Sequence, residues 1–346
     1  HSYPAEWYRD LRKPYDGPYP LVCTALNLVS GKELAWQTRK ARSFIYSPLY
    51  CGYDFFTTHP PSGALGASAF RNTELFSGKQ GPFLGTALAI SGAAATPNMG
   101  YHSSPALTFL MAVFNIRLGW WAGNPRHDRT WKLSGPRLML YLALELFGRT
   151  NDENRFVYLS DGGHFENLGL YELVRRKCRY IIASDAGCDP GSSFSDLGNA
   201  IQKCRRDLGA EITIDAGELR PEEGERLSKA HYALGEIRYA DGSYGTLLYL
   251  KSSLTGRDRQ DVQSFAAEDQ AFPHDSTADQ FFNETRFESY RALGEDVFES
   301  VMNYVEESLP TRPAPATVPG LFAALERLHS GYVATIVRQP VGKLVL

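Results

Sequence analysis

Apolar residues are spaced along this chain in two different ways. Phe156, Val157, Tyr158 and Leu159 form a short unbroken run that stops at Asp161. A run of that length, bounded by Asp-Gly-Gly, predicts a strand over 156–160. Leu168, Tyr171, Leu173 and Val174 then recur at helical spacing, predicting a helix over Leu168–Cys178. A second apolar run, Tyr180–Ser184, predicts another strand. Strand, helix and strand in series, with continuous apolar runs, predict parallel strands covered on both faces.

The same reading extends in both directions. Tyr19–Leu28 and Ser43–Tyr46 read as short strands, and residues 55–82 as a long loop rich in Gly, Ser, Thr and Pro. Ser103-Ser104-Pro105 offers a hydroxyl cap followed by Pro in the first turn, so a helix is expected to about Phe114. Another is expected over Pro136–Phe147. Beyond Ser184 come a helix at Ser193–Leu208 and a strand at Glu211–Ile214. Leu234–Ala240 and Thr246–Lys251 flank Asp241-Gly242 and read as a hairpin. Residues 258–308 read as helical, interrupted near Pro273. Three regions are expected: an irregular segment at 1–20, one large domain at 21–311, and a Pro-rich linker (RPAPATVPG, 312–320) with a C-terminal segment to 346.

Composition narrows the class. The 346 residues are 43% hydrophobic and 22% charged, which predicts a packed core. A net charge of −3 gives no basic footprint for nucleic acid. The five cysteines, Cys23, Cys51, Cys178, Cys188 and Cys204, are scattered, without a C-x-x-C pair. They point to a reducing compartment and to no zinc site, and no other metal or cofactor is expected. The longest apolar stretch, Pro105–Trp121, is broken by Thr108, Asn115 and Arg117, so no membrane span is expected. A cytoplasmic location is expected. The chain begins at His1 without an initiator Met, as a piece of a longer and membrane-associated protein would.

Two motifs suggest chemistry. Asp161-Gly162-Gly163 puts a carboxylate at a strand end among permissive residues. Seventy residues upstream, Ala89-Ile90-Ser91-Gly92-Ala93 sets a hydroxyl after a short apolar run, among small neighbours. A nucleophile on a sharp strand-to-helix turn needs that room, and the next backbone N–H must face the developing oxyanion. Each motif alone also fits an ordinary turn.

Together, A-I-S-G-A (89–93) and D-G-G (161–163) resemble the nucleophile and base motifs of the patatin-like phospholipase superfamily, which includes the group IV cytosolic phospholipases. The stretches 98–121, 161–176 and 272–294 are similar to bacterial members, and the resemblance runs from about residue 20 to 308. It implies a three-layer α/β/α hydrolase domain with a mainly parallel central sheet. It also implies a Ser–Asp dyad without a catalytic histidine, acting on carboxylic esters or lipids through an acyl-enzyme. Ser91 would be the nucleophile, Asp161 the base and the Gly92 N–H an oxyanion donor, with Gly162, Gly163 and His164 supporting. The chain departs from the pattern at Ala89, where the family has Gly, and in lacking a GGG-type run before Ser91; Ser62–Gly66 is a poor approximation.

Other residues carry bland readings. His164 is expected to brace the loop, Asn167 to cap the next helix, and Glu166 to be solvated or bracing. Asp185 (S-D-A-G) stands at a strand end but reads as structural. Phe114, Trp120 and Trp121 are expected in the core, with a lipid-facing patch as the alternative; contact with a membrane surface would then be transient. The competing functions are a hydrolase-derived binding module and a nucleotide-binding domain. No phosphate-cradling glycine motif follows a predicted strand, which disfavours the nucleotide reading.

Overall fold

The computed structural model describes residues 18–28, 40–54, 68–78, 81–93, 119–127, 129–136, 141, 150–276, 279, 281–308 and 317–337. The expected helices at 103–114 and 136–147, and most of the 55–82 loop and the 312–320 linker, lie outside these residues. No helix among them is long and apolar enough to cross a membrane. The chain divides into two compact units, residues 1–167 and 168–346.

The first unit is built on a six-stranded sheet. Its strands are β1 (Val22–Asn27), β2 (Ala41–Tyr46), β3 (Tyr50–Asp54), β4 (Ser68–Asn72), β5 (Trp120–Gly123) and β6 (Phe156–Asp161), in the order β4-β3-β2-β1-β6-β5. Every pair in it is antiparallel. Helix α1 (Leu84–Ser91) packs on this sheet through Ala87 and Ile90.

The second unit has a four-stranded sheet of β7 (Tyr180–Asp185), β8 (Glu211–Ile214), β9 (Tyr232–Arg238) and β10 (Tyr244–Lys251), in the order β7-β10-β9-β8. Only β7 and β10 run parallel among its pairs. The β9–β10 hairpin forms as expected, and Gly242 takes the left-handed φ of 83° that its turn requires. Helices α2 (Leu170–Arg175) and α3 (Ser195–Leu208) pack on one core cluster with Ile181, Ile237 and Tyr249. A second cluster joins Leu248 to α4 (Gln260–Glu268), α5 (Glu284–Ser308) and α6 (Val318–Val337). In α5 the buried residues Leu293, Val297, Val301 and Val305 recur every four positions, the stripe of an amphipathic helix.

The expectation of a parallel three-layer α/β/α domain is therefore overturned. β6 and β7, read from sequence as a parallel pair, lie in different sheets. The unbroken apolar run in β6 reports burial on both faces, and direction does not enter. Val157 and Leu159 join the core beneath the sheet, while Phe156 and Tyr158 pack with Trp121 and Tyr141. β7 is an edge strand with Ile182 and Ser184 exposed, and it shows the alternation of one buried face.

Candidate active site

β1 and β6 position the two motif residues. Thr24 on β1 pairs with Asp161 at the end of β6, and the Asp161 N–H reaches the Ala93 carbonyl at 3.4 Å. Asp161 opens a tight helical turn over Gly162–His164, and its Oδ1 accepts the Gly163 N–H at 2.6 Å. A single oxygen is thus enough to fix the turn. Close approach requires glycine at 162 and leaves little room at 163. A Cβ on Gly162 would stand 2.6 Å from the Cys23 carbonyl oxygen, and one on Gly163 would stand 2.1 Å from Asn167 Oδ1. The first contact is with backbone, which has little room to yield; the second is with the end of a side chain, which can turn away.

Ser91 reaches the same carbonyl. Its Oγ donates to Cys23 O at 2.7 Å. The hydroxyl and the Asp161 turn therefore meet on one backbone oxygen, although seventy residues separate them. Among the described residues no hydrogen bond joins Ser91 Oγ to the Asp161 carboxylate. Both side chains are half-buried.

Two expectations about this site are corrected. Ser91 does not stand on a strand-to-helix turn; it is the last residue of helix α1. The Gly92 N–H caps that helix and donates to Leu88 O at 3.1 Å, so it does not face an oxyanion. The physical reason lies in Leu84–Ile90. Ala87, Leu88 and Ala89 have high helix propensity and carry the helix into Ser91, and Gly92 then closes the orphan carbonyls. The carboxyl end of a helix carries partial negative charge, which opposes a developing oxyanion.

The flanking residues brace the turn. His164 Nδ1 shares a 2.8 Å hydrogen bond with Ser160 Oγ, which in turn accepts Asn27 Nδ2 at 2.8 Å. Glu166 is buried and its N–H donates to Gly162 O at 2.9 Å, so it is not a solvated carboxylate. Asn167 does not cap the following helix; Gly169 does, at a left-handed φ of 68° with no side-chain bond. Trp121 is buried against Tyr158, whereas Trp120 is 43% exposed; Phe114 lies outside the described residues.

In the second unit Asp185 is buried in an ion pair. It accepts Lys251 Nζ at 3.0 Å, the Gly187 N–H at 2.8 Å and the Tyr249 hydroxyl. Burial and the adjoining Asp185 charge hold the Tyr249 phenol protonated, well above its ordinary value. The sequence signal for Lys251 was a lone cation ending an otherwise apolar strand, YGTLLYLK. No group of three or more His, Cys, Asp or Glu suited to a metal ion occurs among the described residues.

Comparison with protein-family models, curated proteins and solved structures returns no match for this chain.

Proposed function

We propose that the first unit carries a carboxylic ester hydrolase site in which Ser91 is the nucleophile and Asp161 the base. One observation supports the reading most: the Ser91 hydroxyl and the Asp161-Gly162 turn converge on the Cys23 carbonyl. Asp161 Oδ2 makes no hydrogen bond among the described residues, since the turn uses Oδ1. In the proposed reaction the Ser91 proton leaves Cys23 O and passes to Oδ2, and Oγ attacks the ester carbonyl. The alcohol departs with that proton, and water activated by the same carboxylate releases the acid. Catalytic hydrogen bonds are often unformed in a free enzyme and tighten with substrate.

The spent Gly92 N–H and the helix carboxyl end at Ser91 favour a second reading, a binding module without turnover. A fluorophosphonate separates the two, because it phosphonylates only an activated serine. Adduct mapped to Ser91, and absent after Ser91→Ala, supports the hydrolase. Folded protein that acquires no adduct at Ser91 supports the module.

The substrates expected of the hydrolase are short and medium acyl esters. No basic amphipathic segment marks the chain as a membrane-surface binder, and its net charge of −3 disfavours anionic bilayers. Turnover of p-nitrophenyl butyrate above that of palmitate is the expected result. Cleavage of phospholipid vesicles with no turnover of the short esters would reverse this preference.

A further inference from the structure

The second unit holds a cavity of about 400 Å³ whose wall includes Ser253, Lys251, Phe194, Leu219, Leu254 and Phe272. That volume lies within the range of small-molecule sites. It sits where β7 and β10 end side by side: Asp185 and Lys251, the last residues of the two strands, are paired in register. Ligands bind beyond the carboxyl ends of parallel strands because the connecting loops there diverge and leave a crevice.

Behind Ser253 lies an ordered relay. Ser253 Oγ is 3.3 Å from His231 Nδ1, and His231 Nε2 is 3.1 Å from Asp258 Oδ1. The three residues are 5%, 4% and 5% exposed, so water does not compete for these contacts. Asp258 Oδ2 accepts the backbone N–H groups of Thr255 and Gly256 at 2.9 and 3.0 Å. Oδ1 has no hydrogen-bond donor of good alignment and faces the imidazole. Thr255 Oγ1 also lies 3.2 Å from Nε2. A proton on Nε2 therefore has two oxygens to meet, and the Nδ1 lone pair is left facing the serine. Burial works to raise the Asp258 pKa, but the adjoining His231 ring and the hydrogen bonds from the Thr255 and Gly256 N–H groups outweigh it and lower the pKa below the ordinary aspartate value.

We infer that Ser253, His231 and Asp258 form a second hydrolytic centre in this chain, a nucleophile, base and orienting carboxylate opening onto the cavity and acting on small carboxylic esters. The centre stands independently of chemistry at Ser91. In the free protein the Ser253 hydroxyl donates to Ala230 O at 3.2 Å. Rotation of that proton to Nδ1 needs no backbone movement. Oγ then bonds to the acyl carbon as its proton passes to Nδ1. The ester C–O bond breaks, and the alkoxide takes the proton from Nδ1. Water returns a proton to Nδ1 as its oxygen attacks the acyl carbon, and Ser253 Oγ leaves with that proton. Lys251 supplies positive charge at the wall. Two of its N–H groups meet Asp185 Oδ1 and Gly187 O, each at 3.0 Å, and the third remains for the oxyanion.

The test is labelling of the whole chain with a fluorophosphonate, followed by peptide mapping, for the parent protein, Ser91→Ala, Ser253→Ala and the double variant. Adduct on Ser253 that survives Ser91→Ala is the expected result, together with at least a tenfold loss of p-nitrophenyl acetate hydrolysis when Ser253→Ala is added to Ser91→Ala. The cavity-blocking Ala271→Trp, at an exposed position in the wall, should slow that labelling tenfold or more without touching the relay. Adduct on Ser91 alone would overturn the second centre and leave the Ser91–Asp161 proposal standing. Adduct on Ser253 alone would do the reverse. Folded protein with no adduct on either serine would overturn both.

Discussion

Asp161 fixes its turn with one carboxylate oxygen and leaves the other without a partner among the described residues. Asparagine keeps an oxygen that can accept the Gly163 N–H but loses the base. Asp161→Asn is therefore expected to unfold within a few degrees of the parent and to lower ester turnover at Ser91 by about 10²-fold or more, the range of a lost general base. Stopped-flow hydrolysis in a Ser253→Ala background with a parallel thermal melt checks this, and activity within severalfold of the Ser253→Ala protein would remove Asp161 from the mechanism. Gly162 gives a purely steric prediction. A methyl there meets the Cys23 carbonyl oxygen at 2.6 Å, and backbone on both sides has little freedom to yield. Gly162→Ala is expected to cost about 1–3 kcal/mol in urea unfolding, as overpacking does. No measurable loss would show that β1 and β6 separate more readily than their register implies.

Within single elements, buried charge decides more than propensity. Asp258 caps the segment after β10 and carries the His231 contact. Its folded-state pKa lies below the ordinary aspartate value of 3.8. The sign follows from linkage: a depressed carboxyl pKa adds stability that is complete above the unfolded value and is lost as pH falls through the folded one. Stability from this residue is thus expected to hold above about pH 5 and to decline below pH 4. Asp258→Asn should flatten that decline in denaturant titrations run at pH 3 to 6. An equal acid slope in the variant would assign it to other carboxylates. The Lys251–Asp185 pair at the ends of β10 and β7 makes a larger demand. Removing one partner strands the other charge in the core, so Lys251→Met is expected to cost about 3–5 kcal/mol in urea unfolding.

At the scale of the molecule, each compact unit has its own sheet and its own buried clusters. The second unit gathers Leu247, Tyr249 and Ile237 on one side of its sheet, and Leu248, Val297 and Val301 on the other. A core of that kind predicts independent folding. A fragment of residues 168–346 is expected to give helical and sheet circular dichroism and one cooperative urea transition. A non-cooperative melt would show that the second core is incomplete without residues 1–167.

Short-range pattern was enough to place many elements. Glu211–Ile214, the β9–β10 hairpin, α3 and the strand into Asp161 were legible because apolar spacing, a Gly-bearing turn and the break at Asp-Gly-Gly are local properties of the chain. The pairing of those elements was not legible. An apolar run reports how many faces are buried and carries no information on which strand lies beside it. β6 was therefore free to pair antiparallel with β1 and β5, while β7 joined β10 in another sheet. The same limit governed the sites. The sequence supplied Ser91 and Asp161 as candidates, but the Cys23 carbonyl between them and the commitment of the Gly92 N–H come from the packing of α1 on the sheet. Ser253, His231 and Asp258 follow no motif, and only the return of β10 beside β9 sets the serine and carboxylate against that imidazole. Local sequence fixes what each segment becomes because propensity and turn chemistry act over a few residues. Which segments meet is decided by burial and register, which act on the whole chain at once.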